Sequence, residues 1–540
     1  MYSNNKRLSI GLLVFSIAVL VLSVGGVGAQ GGGTLRVGIL EPVNLDPATG
    51  NSDDEVILNR HIYDYLIEIL PEGSLVPSLA ESWDISDDGL TYTFNLVEGA
   101  TFHDGSAFTA EDVVFTFNRM VEVGSSAVGL LGQAPTGEED DEGNAILAPT
   151  WTVEAVDDTT AVFTLEAPNA DFLFGVASRF APILNAGTEN VNVLGDDGST
   201  ANFNGTGPFI LQGLDAGEGA TLVANENYWG GRPSLDVLEF VFINDTNTQV
   251  SALRSGDVDF IYKIPTDLLP QIEGEDDITI STVATNTHPV IRLRSDEGYI
   301  GEDVRVRQAF KHATDRELLN LDVLDGRGAV GNNNPIGPVY GSLYSPIEGL
   351  DYDPARACEL INEYAADNPD SQWISMDGDT ATLNVDFYVV EAFEYPLAAE
   401  FLQQQWQEGC INVELIIRPQ NIYYGDNEWM TVDLSLTGWG TRPTPQEYLS
   451  VAYVTGSPFN ESHWSNAELD ALATAASITS DPMERAAIYN DIANIFEQEG
   501  PIIVPFFRPI SGAYRNNVDG LMMHPFPGRT DLDSVTVVGD

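Results

Sequence analysis

The 540-residue chain has almost no lysine. Lys6, Lys263 and Lys311 are the only three, and 23 lysines and arginines together face 82 aspartates and glutamates, for a formal charge of −59. A surface this acidic repels phosphate backbones and anionic headgroups, which excludes nucleic acid and anionic membrane as partners. The acidity does not signal disorder, because hydrophobic residues make up 43% and aromatics 9%, ordinary values for a globular chain. Cysteine is also scarce. The pair Cys358 and Cys410 reads as a disulfide in an exported chain, with two buried free thiols as the alternative. Beyond the N-terminus no apolar run approaches the roughly 20 residues that span a bilayer.

Catalytic signatures are missing as well. The chain holds no HExxH, no GxSxG and no GxxxxGK[ST]. Its six histidines (His61, His103, His288, His312, His463 and His524) are scattered without ligand spacing. No metal site, cofactor or catalytic residue is therefore expected. An exported glycosidase needs only two carboxylates and stays open as a second reading.

What is there begins with an export signal. Lys6-Arg7 precedes the apolar run Leu8–Val24, and small residues end at Val27-Gly28-Ala29. Residues 1–29 read as a cleaved signal peptide, with an uncleaved anchor helix as the alternative. No Cys stands near the cleavage point, so a lipoprotein anchor is not expected. The mature chain is expected in the periplasm or outside the cell.

At this length two or more domains are expected. Residues from about 75 to 170 are β-rich, with a hairpin at Ser82–Ile85 and Thr91–Leu96 around Asp87-Asp88-Gly89. "TAED" (109–112) predicts a helix start, and Ser465…Glu468 and Asp481-Pro482…Glu484 predict two more. Leu383–Val390, Pro396–Glu408 and Ile411–Ile417 read as strand, helix, strand, a βαβ unit and hence a parallel sheet. Thr431–Leu436 alternates as a strand, and "IIVPFF" (502–507) reads as another.

The stretch "GWGTRPTP" (438–445) then falls in the loop at a strand's carboxyl end, where ligands of open α/β sheets sit. Gly and Pro shape the turn, while Trp439 and Arg442 are side chains suited to gripping a ligand. A structural corner is the other reading of Trp439, and a salt bridge to one of the many acids is the other reading of Arg442.

Several strings, in order, resemble one family, the extracellular solute-binding proteins of peptide-type ABC transporters (solute-binding protein family 5). They include "NLDPATG" (44–50), "VPSLAESWDISDDGLTYTFNLVEGATFHDGSAFTAEDVVFTFNRM" (76–120), "NENYWGGRPSLD" (225–236), "DVRVRQAFKHATDRELL" (303–319) and "GWGTRPTPQEYL" (438–449). The resemblance covers about Gly33 to Pro509. It implies an α/β, two-lobed periplasmic-binding-protein-like fold (type II) with an extra β-rich subdomain inserted in the first lobe. The first lobe would take 30–65, 185–284 and 498–540, the subdomain 66–184, and the second lobe 285–497.

The function implied is capture of a small solute between closing lobes, without catalysis, and its delivery by a monomer to an ABC permease with separate ATPase subunits. A peptide or peptide-like solute is the expected ligand, with an oligosaccharide as the alternative. Peptide-binding members often place an Asp after this Trp, where it pairs with the ligand's α-amino group. Arg442 stands at about that place here and suits a carboxylate, phosphate or hydroxyl array instead. The resemblance also points to Asn51 and Ser52 after "LDP", to Asn286 and His288 near one lobe crossing, and to Phe506, Phe507 and Arg508 at the other, with Trp439 as a stacking platform.

Overall fold

Two seven-stranded sheets and a smaller four-stranded one organise the computed structural model, which describes residues 32–50, 52–139, 145–188, 190–195, 198–347, 349–425, 427–526 and 528–539. Residues 1–29, expected as a signal peptide, and Asn51 lie outside the described residues. Among the described residues no helix is long and apolar enough to cross a membrane.

The first sheet runs, in spatial order, Phe209–Asp215, Gly219–Ala224, Val237–Phe242, Thr34–Ile39, Phe260–Ile261, Pro509–Arg515 and Ile278–Ala284. Thr34–Ile39 lies parallel to both its neighbours. The second sheet runs Ala329–Asn332, Ile502–Phe507, His288–Leu293, Leu434–Trp439, Thr380–Val390 and Ile374–Asp377, and Ile411–Arg418 also pairs with Thr380–Val390. That last pair is parallel and joined by the helix Tyr395–Glu408, the expected βαβ unit. Leu402 and Trp406 on the helix are fully buried against this sheet. The small sheet takes Ala80–Ile85, Thr91–Leu96, Thr160–Leu165 and Trp151–Asp157 and has its own aromatic core around Phe94, Phe117 and Phe163.

Local capping chemistry places most helix starts. Thr109 and Asp112 form the capping box of Ala110–Glu122, and the Asp481 side chain accepts from Met483 and Glu484 at the head of Pro482–Glu499. One start is displaced: Asn466, not Ser465, caps Ala467–Ile478, its Oδ1 accepting from Glu468 and Leu469. Asparagine is at least as good a cap as serine, so the residue one step nearer the helix takes the role.

The chain passes twice between the large sheets. Ile278–Ala284 leads into His288–Leu293, and Ile502–Phe507 into Pro509–Arg515. The two passages are bonded to each other: Thr285 Oγ1 donates to the Arg508 carbonyl at 2.7 Å, and the Arg508 N–H donates to the Thr287 carbonyl at 2.7 Å. Strand Ile502–Phe507 pairs inside the second sheet, so this crossing falls at Arg508.

Cys358, on the helix Pro354–Asp367, is bonded to Cys410, and their Cα atoms stand 4.9 Å apart. The bridge spans 52 residues of chain. Restricting the unfolded ensemble to that loop stabilises by about 2–4 kcal/mol. Cys358→Ser is accordingly expected to lower the denaturation free energy by that amount, read from urea unfolding with and without reductant. Equal midpoints for variant and parent would show that the bridge contributes nothing.

Candidate functional site

Strand Leu434–Trp439 lies between His288–Leu293, with which it is antiparallel, and Thr380–Val390, with which it is parallel. It starts three residues later than alternation predicts and continues through Trp439. The reason is register: the paired ladder ends where Leu293 faces Leu434, and beyond it the backbone bond to this partner is from the Arg294 N–H to the Asp433 carbonyl, 2.8 Å. Gly438, expected in a turn, is therefore extended strand. Its role is close approach, because a Cβ there would lie 1.9 Å from the Tyr395 hydroxyl oxygen.

The loop 440–444 that follows is fastened from several sides. The Arg442 N–H donates to the Tyr448 hydroxyl at 3.0 Å, and the Tyr340 hydroxyl donates to the Arg442 carbonyl at 2.8 Å. Thr441 Oγ1 accepts from the Asn286 N–H at 3.0 Å and lies 3.0 Å from Thr287 Oγ1. Asn286 is fully buried, its amide donating to the Pro335 carbonyl and to the Tyr448 hydroxyl. The loop's backbone is thus tied to a crossing strand, while the Arg442 guanidinium projects with its side chain 40% exposed.

That guanidinium borders a cavity of about 730 Å³. Its wall is drawn from the head of the helix Asp53–Arg60 (Asp53), from the first sheet's end (Lys263), from the segment beside the small sheet (Arg179, Phe180), from both crossings (Thr287, Arg508) and from loop 440–443 with Glu447. Five of the chain's 23 lysines and arginines line it, against three of its 82 acids. The acidity of the whole chain is thus reversed locally.

The cations differ in how they are matched. Arg508 Nε and Nη2 donate to Glu394 at 2.5 and 3.1 Å, and its guanidinium lies 4.1 Å from the Phe393 ring centre. Arg529 is buried, pairs with Glu68 at 3.3 Å and donates to the Ala177 carbonyl. Lys263 and Arg179 share Asp53, at 3.1 and 3.6 Å. Arg442 stands 3.4 Å from Glu447, but neither Arg442 Nε nor Glu447 Oε2 has a hydrogen-bond partner among the described residues. Burial pushes the Glu447 carboxyl above the usual range, and Arg442 opposes the shift.

Of the expected ligand residues, Arg442 and Arg508 line this cavity. Trp439 sits behind it, half-buried and edge-on to Tyr448 and Phe459, each 6.1 Å away by ring centres. It packs perpendicular to both rings, and the Arg442 guanidinium lies 5.5 Å from its centre. His288, Phe506 and Phe507 are buried in the supporting core, and Asn286 holds the loop. Ser52 caps the helix Asp53–Arg60, its Oγ accepting from the Glu55 N–H, and the next residues, Asp53 and Asp54, reach the cavity. Arg179, Lys263, Glu447 and the tyrosines holding the loop were not expected. Lys263 carried a signal, as one of three lysines in the chain.

Among the described residues no group of three or more His, Cys, Asp or Glu is placed to hold a metal ion. Comparison with known proteins follows the geometry. Heme-binding protein A of Haemophilus influenzae is 28% identical over 501 residues, covering 87% of this chain and 85% of that one. Di/tripeptide-binding protein 4 of Pseudomonas aeruginosa is 29% identical over 500 residues, covering 88% and 89%. The crystal structure of the ABC transporter substrate binding protein CtaP from Listeria monocytogenes superposes with a TM-score of 0.76 at 26% identity, covering 94% of this chain and all of that one. The type II binding-protein architecture expected from the sequence is the one these two sheets adopt. The family model for bacterial extracellular solute-binding proteins, family 5, matches residues 74–461, and the chain belongs to that family.

Proposed function

We propose that the chain is the extracytoplasmic capture component of an ABC importer, and that it takes a peptide or peptide-like solute into the 730 Å³ cavity without chemical turnover. The observation that carries this reading is the composition of the cavity wall, drawn from both large sheets and both crossings. A solute there touches both halves only when they are closed, so its binding free energy shifts the open–closed balance. The volume falls within the roughly 300–1,000 Å³ of small-molecule sites, which favours a short solute. Relatives named for di- and tripeptides support the peptide class. Trp439 is not among the residues lining the cavity, so it offers no stacking platform for an oligosaccharide there.

The lobes would be 30–65, 185–284 and 508–540 for the first, 66–184 for its inserted subdomain and 285–507 for the second. The separate core around Phe94 and Phe163 supports the subdomain, and the pairing of Ile502–Phe507 supports the moved boundary. The permease would read the closed shape. Native mass spectrometry of protein purified from its source tests the ligand class directly, since a co-purified mass matching no short peptide would overturn it. Steady product release from peptides or oligosaccharides would overturn capture without turnover. Arg442→Ala should weaken binding of the captured solute by about 1–3 kcal/mol by calorimetry. Unfolding should move by under about 1 kcal/mol, because the pair with Glu447 is partly exposed.

A further inference from the structure

Asparagine followed two residues later by serine or threonine, with no proline between them, occurs three times: Asn204-Gly205-Thr206, Asn244-Asp245-Thr246 and Asn460-Glu461-Ser462. That spacing is the acceptor pattern for N-linked sugar, and the pattern alone selects none of the three. The fold does. Asn204 and Asn460 are 9% and 5% exposed. The hydroxyl that each needs two residues on is also engaged inside. Thr206 is fully buried and donates to Asp64 at 2.9 Å, and Ser462 donates to the Oδ1 of Asn460 itself at 2.8 Å. Asn460 Nδ2 in turn donates to the Trp464 carbonyl at 2.8 Å. Neither amide can enter an enzyme's active site unless the surrounding chain unfolds.

Asn244 differs on each count. It is exposed, past the end of the strand Val237–Phe242 and before the helix Thr246–Ser255. Asp245 is the helix N-cap in an extended conformation, φ −123° and ψ 122°, so the acceptor stands off the helix on stretched chain. The Asn244 Oδ1 accepts from the Glu41 N–H at 2.9 Å, which fixes the amide. Its Nδ2, the atom that carries the sugar in such linkages, meets Glu41 Oε2 at 3.4 Å, the long limit of a hydrogen bond. An amide nitrogen has two protons, so substitution of one leaves the other for that contact.

We propose that Asn244 is an N-glycosylation site, with a lipid-phosphate-linked oligosaccharide as the sugar donor. The bond from Nδ2 to the sugar's anomeric carbon forms as the bond from that carbon to the phosphate oxygen breaks. The phosphate leaves with the electron pair, and the amide proton passes to a base of the transferase. The inference rests on the extracytoplasmic reading, which the extracellular family supports. Thr246 and Gln249 of the adjoining helix line the cavity, so the sugar would stand at the cavity's rim on the first sheet's side. There it adds bulky, neutral, hydroxyl-rich surface to a face that otherwise presents Glu41 and Asp245.

Proteolytic digestion and tandem mass spectrometry of the protein purified from its source test the site. The peptide containing Asn244 should carry a mass increment of hexose or hexosamine units and release sugar fragment ions. Peptides containing Asn204 and Asn460 should keep their plain masses. Asn244→Gln, expressed in the same organism, should lose the whole increment and keep the parent's circular dichroism. A plain Asn244 peptide would overturn the site, and so would sugar on Asn204 or Asn460 in its place. Cell fractionation separates this failure from that of the reading beneath it. Protein recovered from the periplasm or the medium with a plain Asn244 strikes the site alone. Recovery of plain protein from the cytosol strikes the extracytoplasmic reading as well.

Discussion

Acidification from about pH 7 to about pH 4.5 should destabilise this protein through three histidines that the fold holds neutral. His61 and His524 are each clamped between one acceptor and one donor. His61 Nδ1 lies 2.6 Å from the Ile57 carbonyl, and its Nε2 accepts from the Leu532 N–H at 3.1 Å. His524 Nε2 lies 3.0 Å from the Ile69 carbonyl, and its Nδ1 accepts from the Phe526 N–H at 3.0 Å. A second ring proton would point at a backbone N–H in either case. His288 is fully buried, with Nδ1 on the Asn286 carbonyl at 2.7 Å and no partner at Nε2 among the described residues.

Burial is the main cause holding their pKa values down, to about 4 for His61 and His288 and about 3 for His524. The unfolded chain takes up protons near 6.5, so it binds more protons than the fold between that value and the folded one. Stability therefore falls as pH drops through this window, by about 2–3 kcal/mol for each histidine at pH 4.5. Several buried acids act in the opposite sense, Asp171 and Glu447 among them. Asp64, pushed up to about 6 by burial, and Asp533, pushed up by burial and by Asp531, take protons more readily in the fold and offset part of the loss.

The histidine share is isolated by slope. Urea unfolding of His61→Gln should depend less steeply on pH between 4.5 and 7 than that of the parent, by about one proton at the steepest point. Imidazole proton resonances of His61, His288 and His524 in the native chain should stay unshifted down to pH 5. A native titration near 6.5 at any of the three would remove that residue from the account.

Arg485→Ala should reduce solute affinity by about 3–5 kcal/mol, because it strips the partner from a buried carboxylate. Arg485 Nη2 donates to Asp171 at 2.7 Å, and the two side chains are 5% and 7% exposed. Burial raises the Asp171 carboxyl and Arg485 pulls it back. The partners belong to different cores. Asp171 precedes Phe172, which is packed with Phe163, whereas Arg485 sits on Pro482–Glu499, whose Tyr489 and Phe496 join the second large sheet. The backbone bond from the Ala170 N–H to the Ser477 carbonyl, 2.8 Å, spans the same seam.

If the lobes part at this seam, both charges of the parent meet water in the open form, and in the variant Asp171 is buried without its arginine only in the closed one. The penalty then lands on closure, and hence on binding, with little change in thermal unfolding of the empty chain. Charge reversal of both residues, Asp171→Arg with Arg485→Asp, should recover part of the affinity. A variant that binds its solute normally but melts early would show that the pair belongs to one rigid body, and the seam would have to lie elsewhere.

Capping boxes, the βαβ unit at 380–418 and the hairpin at 80–96 are decided over a few residues, by caps, periodicity and turn chemistry, and could be read directly from the sequence. The order of the family's strings determined the architecture, because each string carries one of those local elements. Strand ends and site residues were harder, because they depend on long-range register. Thr431–Asp433 alternates as a strand should, yet its antiparallel partner stops at Leu293. Phe507 and Arg508 are neighbours in sequence, but the first is buried and the second faces the cavity, because the chain leaves one sheet for the other between them. Ser52 looked like a ligand contact and is a helix cap, while the adjacent Asp53 reaches the site. What the sequence by itself determined was an acidic α/β chain carrying the strings of one solute-binding family, with Trp439 and Arg442 at the carboxyl end of a strand. That Arg179, Lys263 and Arg442 gather round one cavity was decided only by the tertiary structure, since their segments are far apart along the chain and only the packing of three separate cores brings them together.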